Sequence, residues 1–508
     1  MRPGVISFSA RRLASKEHCQ WPEARCSASG IFRGWGIVMK LRWCAGAAMA
    51  LVLSPAAVTA SAAPVTDADR AMARQMLEEA IAIPTAKGRG QVPTLIENYS
   101  RRLREAGFTA DEIMTVPVEI DGEKTAGLVV RYAGRNAKAK PIAFLGHMDV
   151  VDALKENWST DPYVPTEKDG YIYGRGSTDN KAGVTALVAS FIRLKKSGFV
   201  PERDLLLAFS GDEESGMMTT RALTKHPLVS RAEFALNSDA GSGAMGEDGK
   251  YRFNIQAAEK TYANFAIAAK NPGGHSSAPR ADNAIYDLAR ALTKLEALRF
   301  PVEFNEITRI MVADMAKEKG GELGTALTTL MANPNDAAAR AVAEKYPHQA
   351  NILWTTCVAT MLQAGNAPNA LPQNATANVN CRIFPGTSVA DVQKTIAQAI
   401  GNDKLTVSLV GEGVASPVSP VNPALFARLQ KAMDATYPGV TLKPSMSSGG
   451  TDGREFRSAG IPTYGAGALA LGADDSRAHG TDERVPIAGY LKQLDYWDFL
   501  FRDLGGRK

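Results

Sequence analysis

A chain of 508 residues is too long for one ordinary hydrophobic core and implies two or more domains. Its formal charge of +5 invites a nucleic-acid or membrane reading, but residues 1–62 alone hold eight basic side chains (Arg2, Arg11, Arg12, Lys16, Arg25, Arg33, Lys40, Arg42) against Glu17 and Glu23. The rest of the chain carries 50 basic and 51 acidic residues, so no basic stripe is left to track a phosphate backbone, which argues against nucleic acid as a partner.

The basic head has the order of an export signal. After Met39 come Lys40 and Arg42, an apolar run from Ala45 to Leu53, and small residues ending Ala60-Ser61-Ala62-Ala63-Pro64. These are the charged, apolar and A-x-A parts of a secretory signal, with cleavage expected near Ala62. The apolar run is too short for a comfortable membrane span. Cys44 lacks the Leu-Ala-Gly-like neighbours of a lipidated cysteine, so the expectation is an exported protein, periplasmic or secreted, with no stable membrane anchor. Residues 1–38 show no structural pattern, and a translation start at Met39 accounts for them; a disordered extension on a cytosolic enzyme is the competing reading.

Helical periodicity covers 67–83 and 92–106, the second with Leu95, Ile96, Tyr99 and Leu103 on one face. Residues 140–145 and 204–209 are apolar runs of buried-strand type, and 182–194 is the helix between them, so the first domain is predicted as an α/β sheet covered on both faces. In such sheets functional residues collect at strand ends. From about Ala258 the predicted order is strand 262–269, helix 282–298, strands 351–363 and 374–384, helix 389–400 and strand 405–410. That β-α-β-β-α-β order defines a ferredoxin-like α+β unit. The expected division is catalytic domain 63–257, inserted lid or dimerisation domain 258–411, and the remainder of the catalytic domain 412–508. Residues 301–350 form a helical insertion expected to lie over the small domain. Cys357 and Cys381 fall on neighbouring strand segments; a disulfide and two buried free thiols are both open, the thiols being the plainer expectation.

Five motifs bear chemistry: Gly146-His147-Met148-Asp149, Gly174-Arg175-Gly176-Ser177-Thr178-Asp179, Asp212-Glu213-Glu214-Ser215-Gly216, Ser238-Asp239 and His479. Alone, each acidic turn reads as solvated surface and Asp179 as a helix N-cap. Together they supply two imidazoles and at least three carboxylates, an inventory suited to a pair of zinc ions, with cobalt or manganese as substitutes. His147 and Asp149 stand two apart at a strand end, which points both side chains one way and offers Asp149 as partner for the second imidazole nitrogen.

With these motifs, Gly273-Gly274-His275-Ser276-Ser277, Asn369-Ala370-Leu371-Pro372, Arg382-Ile383-Phe384-Pro385-Gly386 and Gly449-Gly450-Thr451-Asp452, the chain from Asp67 to Phe501 resembles the dizinc hydrolases that include carboxypeptidase S, glutamate carboxypeptidase, aminoacylase and acetylornithine deacetylase. The 354–382 stretch is most similar to the carboxypeptidase S branch. The resemblance implies a zinc-peptidase-like catalytic domain, with a central mixed sheet flanked by helices, and an inserted lid. It implies metal ligation by His147, Asp179 as bridge, Glu214, Asp239 and His479, with Glu213 as general base. In the resemblance His275 donates to the oxyanion of the tetrahedral intermediate; a surface turn histidine is the alternative. Arg382 is a fork for a substrate carboxylate or a salt bridge within the sheet. Asn369 and Thr451 are substrate-side candidates.

The activity implied is hydrolysis of an amide bond beside a free carboxylate, by a carboxypeptidase or dipeptidase, on a small peptide. An N-acyl-amino-acid deacylase is the alternative, since the same parts serve both. A non-catalytic binding protein would have lost a ligand or the base, and none of these positions is lost. Two departures from the pattern, Val151-Asp152 where relatives often carry proline and Asn180 where an acidic or apolar residue is common, remove no ligand. A homodimer through the lid is compatible with the pattern. His275 and Arg382 belong to the lid and the metal ligands to the large domain, so the chain crossings at 257–260 and 410–413 are the expected hinges.

Overall fold

A computed structural model describes residues 64–506 apart from Glu247 and Ala473, so the proposed export segment and the 1–62 extension lie outside the described residues. Thr66 opens the first helix, Asp67–Ile81, with a capping box: its hydroxyl accepts from the Asp69 N–H at 3.2 Å while the Asp69 carboxylate accepts from the Thr66 N–H at 2.9 Å. The second helix, Val92–Glu105, has Pro93 in its first turn and buries Leu95, Ile96, Tyr99 and Leu103, the face read from the sequence.

The central sheet has eight strands in the order Ile113–Ile120, Glu123–Tyr132, Leu205–Ser210, Ile142–His147, Phe234–Asn237, Thr463–Gly465, Asn254–Glu259, Lys443–Ser447. Its middle four strands are parallel, and antiparallel pairing begins on either side of them, so the sheet is mixed. Both faces are covered. Ile142 and Phe144 pack with Phe191 and Phe501 of the helices Lys181–Lys196 and Ile487–Leu504, while Ala143 and Leu145 join Leu223 and Phe456 on the other side. Burial on two faces explains why these strands are continuous apolar runs instead of alternating ones. Because the middle strands are parallel, His147, Ser210 and Asn237 end at one edge, and the loops that follow gather there.

A second core forms where the β-α-β-β-α-β order was predicted. Strands Thr356–Ala364, Asn374–Ile383, Thr261–Lys270 and Leu405–Val410 lie side by side in that order, all antiparallel. Helices Ala284–Ala297 and Val389–Ile400 bury Leu288, Ala291, Val392 and Ile396 against Phe265, Ile267 and Val379. Cys357 and Cys381 face each other in the register and form a disulfide with Cα atoms 4.1 Å apart, in place of the free thiols expected.

The two crossings between the sheets differ, and one other expectation changes. Only Lys260 separates the large-sheet strand Asn254–Glu259 from Thr261–Lys270, and its buried ammonium donates to the carbonyls of Asn351 at 2.5 Å and Trp354 at 2.6 Å. Desolvation, followed by the nearby Arg382, pulls this lysine down to about 7. The crossing at 257–260 is thus a bonded joint, whereas Gly411 and Glu412 on the return crossing are exposed. The helical stretch also covers a different surface. Helix Glu306–Lys319 runs along the edge strand Lys443–Ser447 of the large sheet, with the Met446 N–H directed at the Met311 sulfur (3.5 Å) and Lys443 paired with Asp314 at 2.9 Å. Ile307, Val312, Leu327 and Leu330 accordingly join the large core and not the small one, and an edge that could pair with another chain is covered. Among the described residues no helix is long and apolar enough to cross a membrane.

Candidate metal centre

The parallel strand ends and two loops bring the motif residues together. His147 ends its strand, and its Nδ1 is 3.0 Å from the main-chain carbonyl of Asp149, so the outward Nε2 is left as the ligand atom. The Asp149 carboxylate lies farther from that ring, at 3.7 Å. It accepts instead from the N–H groups of Glu213 and Glu214, one per oxygen, each at 3.0 Å. Asp149 therefore orients His147 with its backbone and sets the acidic turn after Leu205–Ser210 with its side chain.

Asp179 lies between the two imidazoles. His147 Nε2 is 2.9 Å from Asp179 Oδ1 and 3.6 Å from Asp239 Oδ1. His479 Nε2 is 3.2 Å from Asp179 Oδ2 and 2.8 Å from Glu214 Oε1. Two sets of three donors, His147/Asp239/Asp179 and His479/Glu214/Asp179, share one carboxylate. Ligand atoms of His147, Asp179 and Glu214 all fall within 4.8 Å of one another.

The electrostatics follow from crowding. Burial lowers the His147 imidazole, but Asp239 and the hydrogen bonds to Asp149, Asp179 and Asp239 carry it well above its usual value. Hydrogen bonds to Asp179 and Glu214 raise His479 to about 10. Burial raises Asp179, yet both histidines pull it well below the carboxylate range. Desolvation lifts Asp239 to about 6 against the pull of His147. It also drives Glu213 well above the usual range; His147 opposes this, and Asp239, Asp452 and Glu214 add to it. Carboxylates in excess of imidazoles, with His479 alone open to water, form a donor set that divalent cations fit, and nitrogen with oxygen donors suits zinc, cobalt or manganese.

The remaining predicted residues lie elsewhere. His275 and Asn369 meet in the small domain, where Gly274–His275 pairs with Ala370–Leu371 and the Ser276 N–H donates to the Asn369 carbonyl at 3.0 Å. Both are exposed, and neither touches the centre. His275 Nδ1 accepts from the Ser277 N–H at 3.2 Å, which places the proton of the neutral ring on Nε2. Arg382 makes no ion pair among the described residues; it lies over the Tyr262 ring at 4.7 Å and reaches the Ser448 carbonyl at 3.4 Å. The Thr451 hydroxyl is buried and donates to Glu259 at 3.0 Å.

Two further acids are buried, Asp452 of the Gly449–Asp452 motif and Glu483, and only the second has no motif in the sequence. Asp452 accepts from the hydroxyls of Ser210 at 2.7 Å and Thr220 at 2.5 Å, and burial raises it to about 7. Glu483 holds the turn that presents Asp179. The signal in the sequence was only an acid four residues after His479, too common to stand out.

A mixed α/β sheet with paired histidine and carboxylate donors at its strand ends, and a ferredoxin-like insertion, is the architecture of a metal-dependent hydrolase of amide bonds. The model of Peptidase family M20/M25/M40 matches residues 143–503, more than half of the chain, and the protein belongs to that family. The human N-fatty-acyl-amino acid synthase/hydrolase PM20D1 is 25% identical over 441 residues, covering 84% of this chain and 87% of that protein. The probable carboxypeptidase S-like 2 of Dictyostelium discoideum is 28% identical over 389 residues, 74% of each chain, in keeping with the carboxypeptidase S resemblance. Among solved structures, the M20 family metallo-carboxypeptidase Sso-CP2 of Sulfolobus solfataricus has the same fold, with a TM-score of 0.65 at 18% identity, covering 84% of this chain and 98% of that one.

Proposed function

We propose that the protein is an exported zinc-dependent hydrolase that cuts an amide bond next to a free carboxylate, as a carboxypeptidase or dipeptidase does. The observation that carries this reading is Asp179, whose two oxygens face His147 at 2.9 Å and His479 at 3.2 Å. His147 and Asp239 would hold one divalent ion and His479 and Glu214 a second, with Asp179 shared. Bound there, such ions polarise a carbonyl and acidify water.

The chain supplies the rest. Glu213 stands beside the donor sets without belonging to either, its N–H bonded to Asp149, and that position suits a carboxylate that takes a proton from the attacking water and returns it to the leaving nitrogen. Arg382, half-buried and without a carboxylate partner among the described residues, is a fork for the substrate carboxylate. His275, with its proton on Nε2, is the donor to the oxyanion, and it would reach the centre by closure of the lid, proposed to span 258–411, or from a second copy of the chain. Asn369 would accompany it on the substrate side. Thr451 contributes through the buried Glu259 contact, which fixes the adjoining turn.

A second reading, hydrolysis of N-acyl amino acids, has its own support in the similarity to PM20D1 over most of both chains. Export is supported by the 39–64 pattern and by the Cys357–Cys381 disulfide, a bond that persists in oxidising compartments. Turnover of zinc-reconstituted protein on C-terminal dipeptides against N-acetyl and N-fatty-acyl amino acids tests the reading. Preference for dipeptides supports the first form and preference for acyl substrates the second, while turnover of neither class would contradict both.

A further inference from the structure

We infer that Glu483 is a positioning residue that joins the two ligand-bearing loops into one metal centre, an inference that rests on the metal reading above. Its side chain is fully buried, and both oxygens are saturated by a single turn. Oε1 accepts from the Thr178 N–H at 2.8 Å, the Thr178 hydroxyl at 2.8 Å and the Asp179 N–H at 3.1 Å. Oε2 accepts from the Gly176 N–H at 2.8 Å and from Arg175 Nη1 at 2.8 Å. A buried carboxylate is stable only when its lone pairs are matched, and here every donor comes from the turn that ends in the shared ligand Asp179.

The ties also run the other way. The Gly174 N–H donates to the Glu483 carbonyl at 3.0 Å, and Arg175 Nη2 donates to the Gly480 carbonyl at 2.9 Å. These bonds fix the loop that begins at His479, a non-glycine residue at φ +62°. Such a backbone persists only where its surroundings hold it. Gly176 sits at φ +80°, where a Cβ would come within 2.6 Å of Val150, so the turn is also pressed against the loop after His147. One carboxylate thus sets the spacing of Asp179 and His479, whose side chains meet at 3.2 Å across the centre. Glu483 is not itself placed to ligate an ion, because both of its oxygens are occupied by N–H and O–H donors.

The test uses the full chain, stripped of metal and titrated with zinc, and with cobalt for its visible absorption. Glu483→Gln keeps the shape but turns an NH2 group toward N–H donors. With native circular dichroism, it should bind metal about 10- to 100-fold more weakly than wild type and shift the cobalt bands. Thr178→Val deletes one of the five bonds and should weaken binding about two- to tenfold in a folded protein. Thr481→Ala, at an exposed position of the same loop, should change neither readout. Wild-type affinity and an unshifted cobalt spectrum in a folded Glu483→Gln, or in Thr178→Val if the first does not fold, would overturn the inference; so would loss of fold in both, which would make the role one of folding. A wild-type chain that binds no pair of ions would contradict the metal reading itself, and with it the role given to Glu483, an outcome distinct from a wild-type chain that binds the pair and a variant that binds it equally well.

Discussion

Asp149→Asn separates the two tasks that the structure gives this residue. The carboxylate accepts the N–H of Glu213 on one oxygen and of Glu214 on the other, both at 3.0 Å, and the residue is buried. An amide has one acceptor oxygen and one NH2, so one of the two N–H groups loses its acceptor and faces a donor. A hydrogen bond to a charged group contributes about 1.5–3 kcal/mol, and a buried unmatched donor costs about 1–3 kcal/mol more. A cost of about 3 kcal/mol, relieved by movement of the acidic turn, displaces Glu213 and corresponds to about a 100-fold loss of turnover. The ring of His147 should keep its orientation, because its Nδ1 bonds the Asp149 carbonyl at 3.0 Å, which the substitution leaves in place. The assay pairs kcat under saturating zinc with metal content per chain. Turnover that falls far more than metal content supports the assignment. Turnover that falls only in proportion to lost metal would refute it, and would return the carboxylate to the role of imidazole partner.

His147→Ala and His479→Ala should each lower metal content toward one ion per chain, since each ring serves a different donor set, and chelation should abolish activity; two retained ions in either variant, by elemental analysis, would count against the pair. His275→Ala should lower kcat about 100-fold or more with metal content unchanged, because the lost donor acts on charge that forms only in the transition state. Normal turnover would remove it from the site. Replacing Cys357 and Cys381 by serine should destabilise the small domain by about 3.5 kcal/mol, from the chain entropy of a loop closed over a sequence separation of 24. An unchanged denaturation midpoint under oxidising conditions would show that the bond constrains little.

Much of this was legible in the sequence because the relevant signals are local. Helix Val389–Ile400 and strand Leu405–Val410 match their predicted bounds end to end, since each has an unbroken apolar period and a turn residue at its boundary. His147, Asp179, Glu214, Asp239 and His479 stand together, because parallel strands deliver His147, Glu214 and Asp239 to one edge and two loops bring Asp179 and His479 to it. The hairpin of Ile113–Ile120 and Glu123–Tyr132 was not predicted: Pro117 reads as a break, and it is tolerated there because the first strand lies at the sheet edge. Helix Gly321–Ala332 starts directly after Gly320, a pair of glycines at φ +56° and +53° that reads as a terminator and in fact separates two helices. Contacts distant in sequence left no trace in any local pattern. The Thr451 hydroxyl turns to Glu259 across 192 positions, and Glu483 reaches the Asp179 turn across 304. The lysine joint at Lys260 is of the same kind, its charge masking a buried position.

The central claim is that Glu213 moves the proton while the five surrounding residues hold the metal. Glu213→Gln, in the full chain reconstituted with zinc, tests both halves in one protein, because the amide keeps the size of the side chain and cannot accept the proton. Metal content should equal that of wild type, while turnover of the preferred amide substrate falls about 100-fold or more. Near-normal turnover at full metal occupancy would contradict the account.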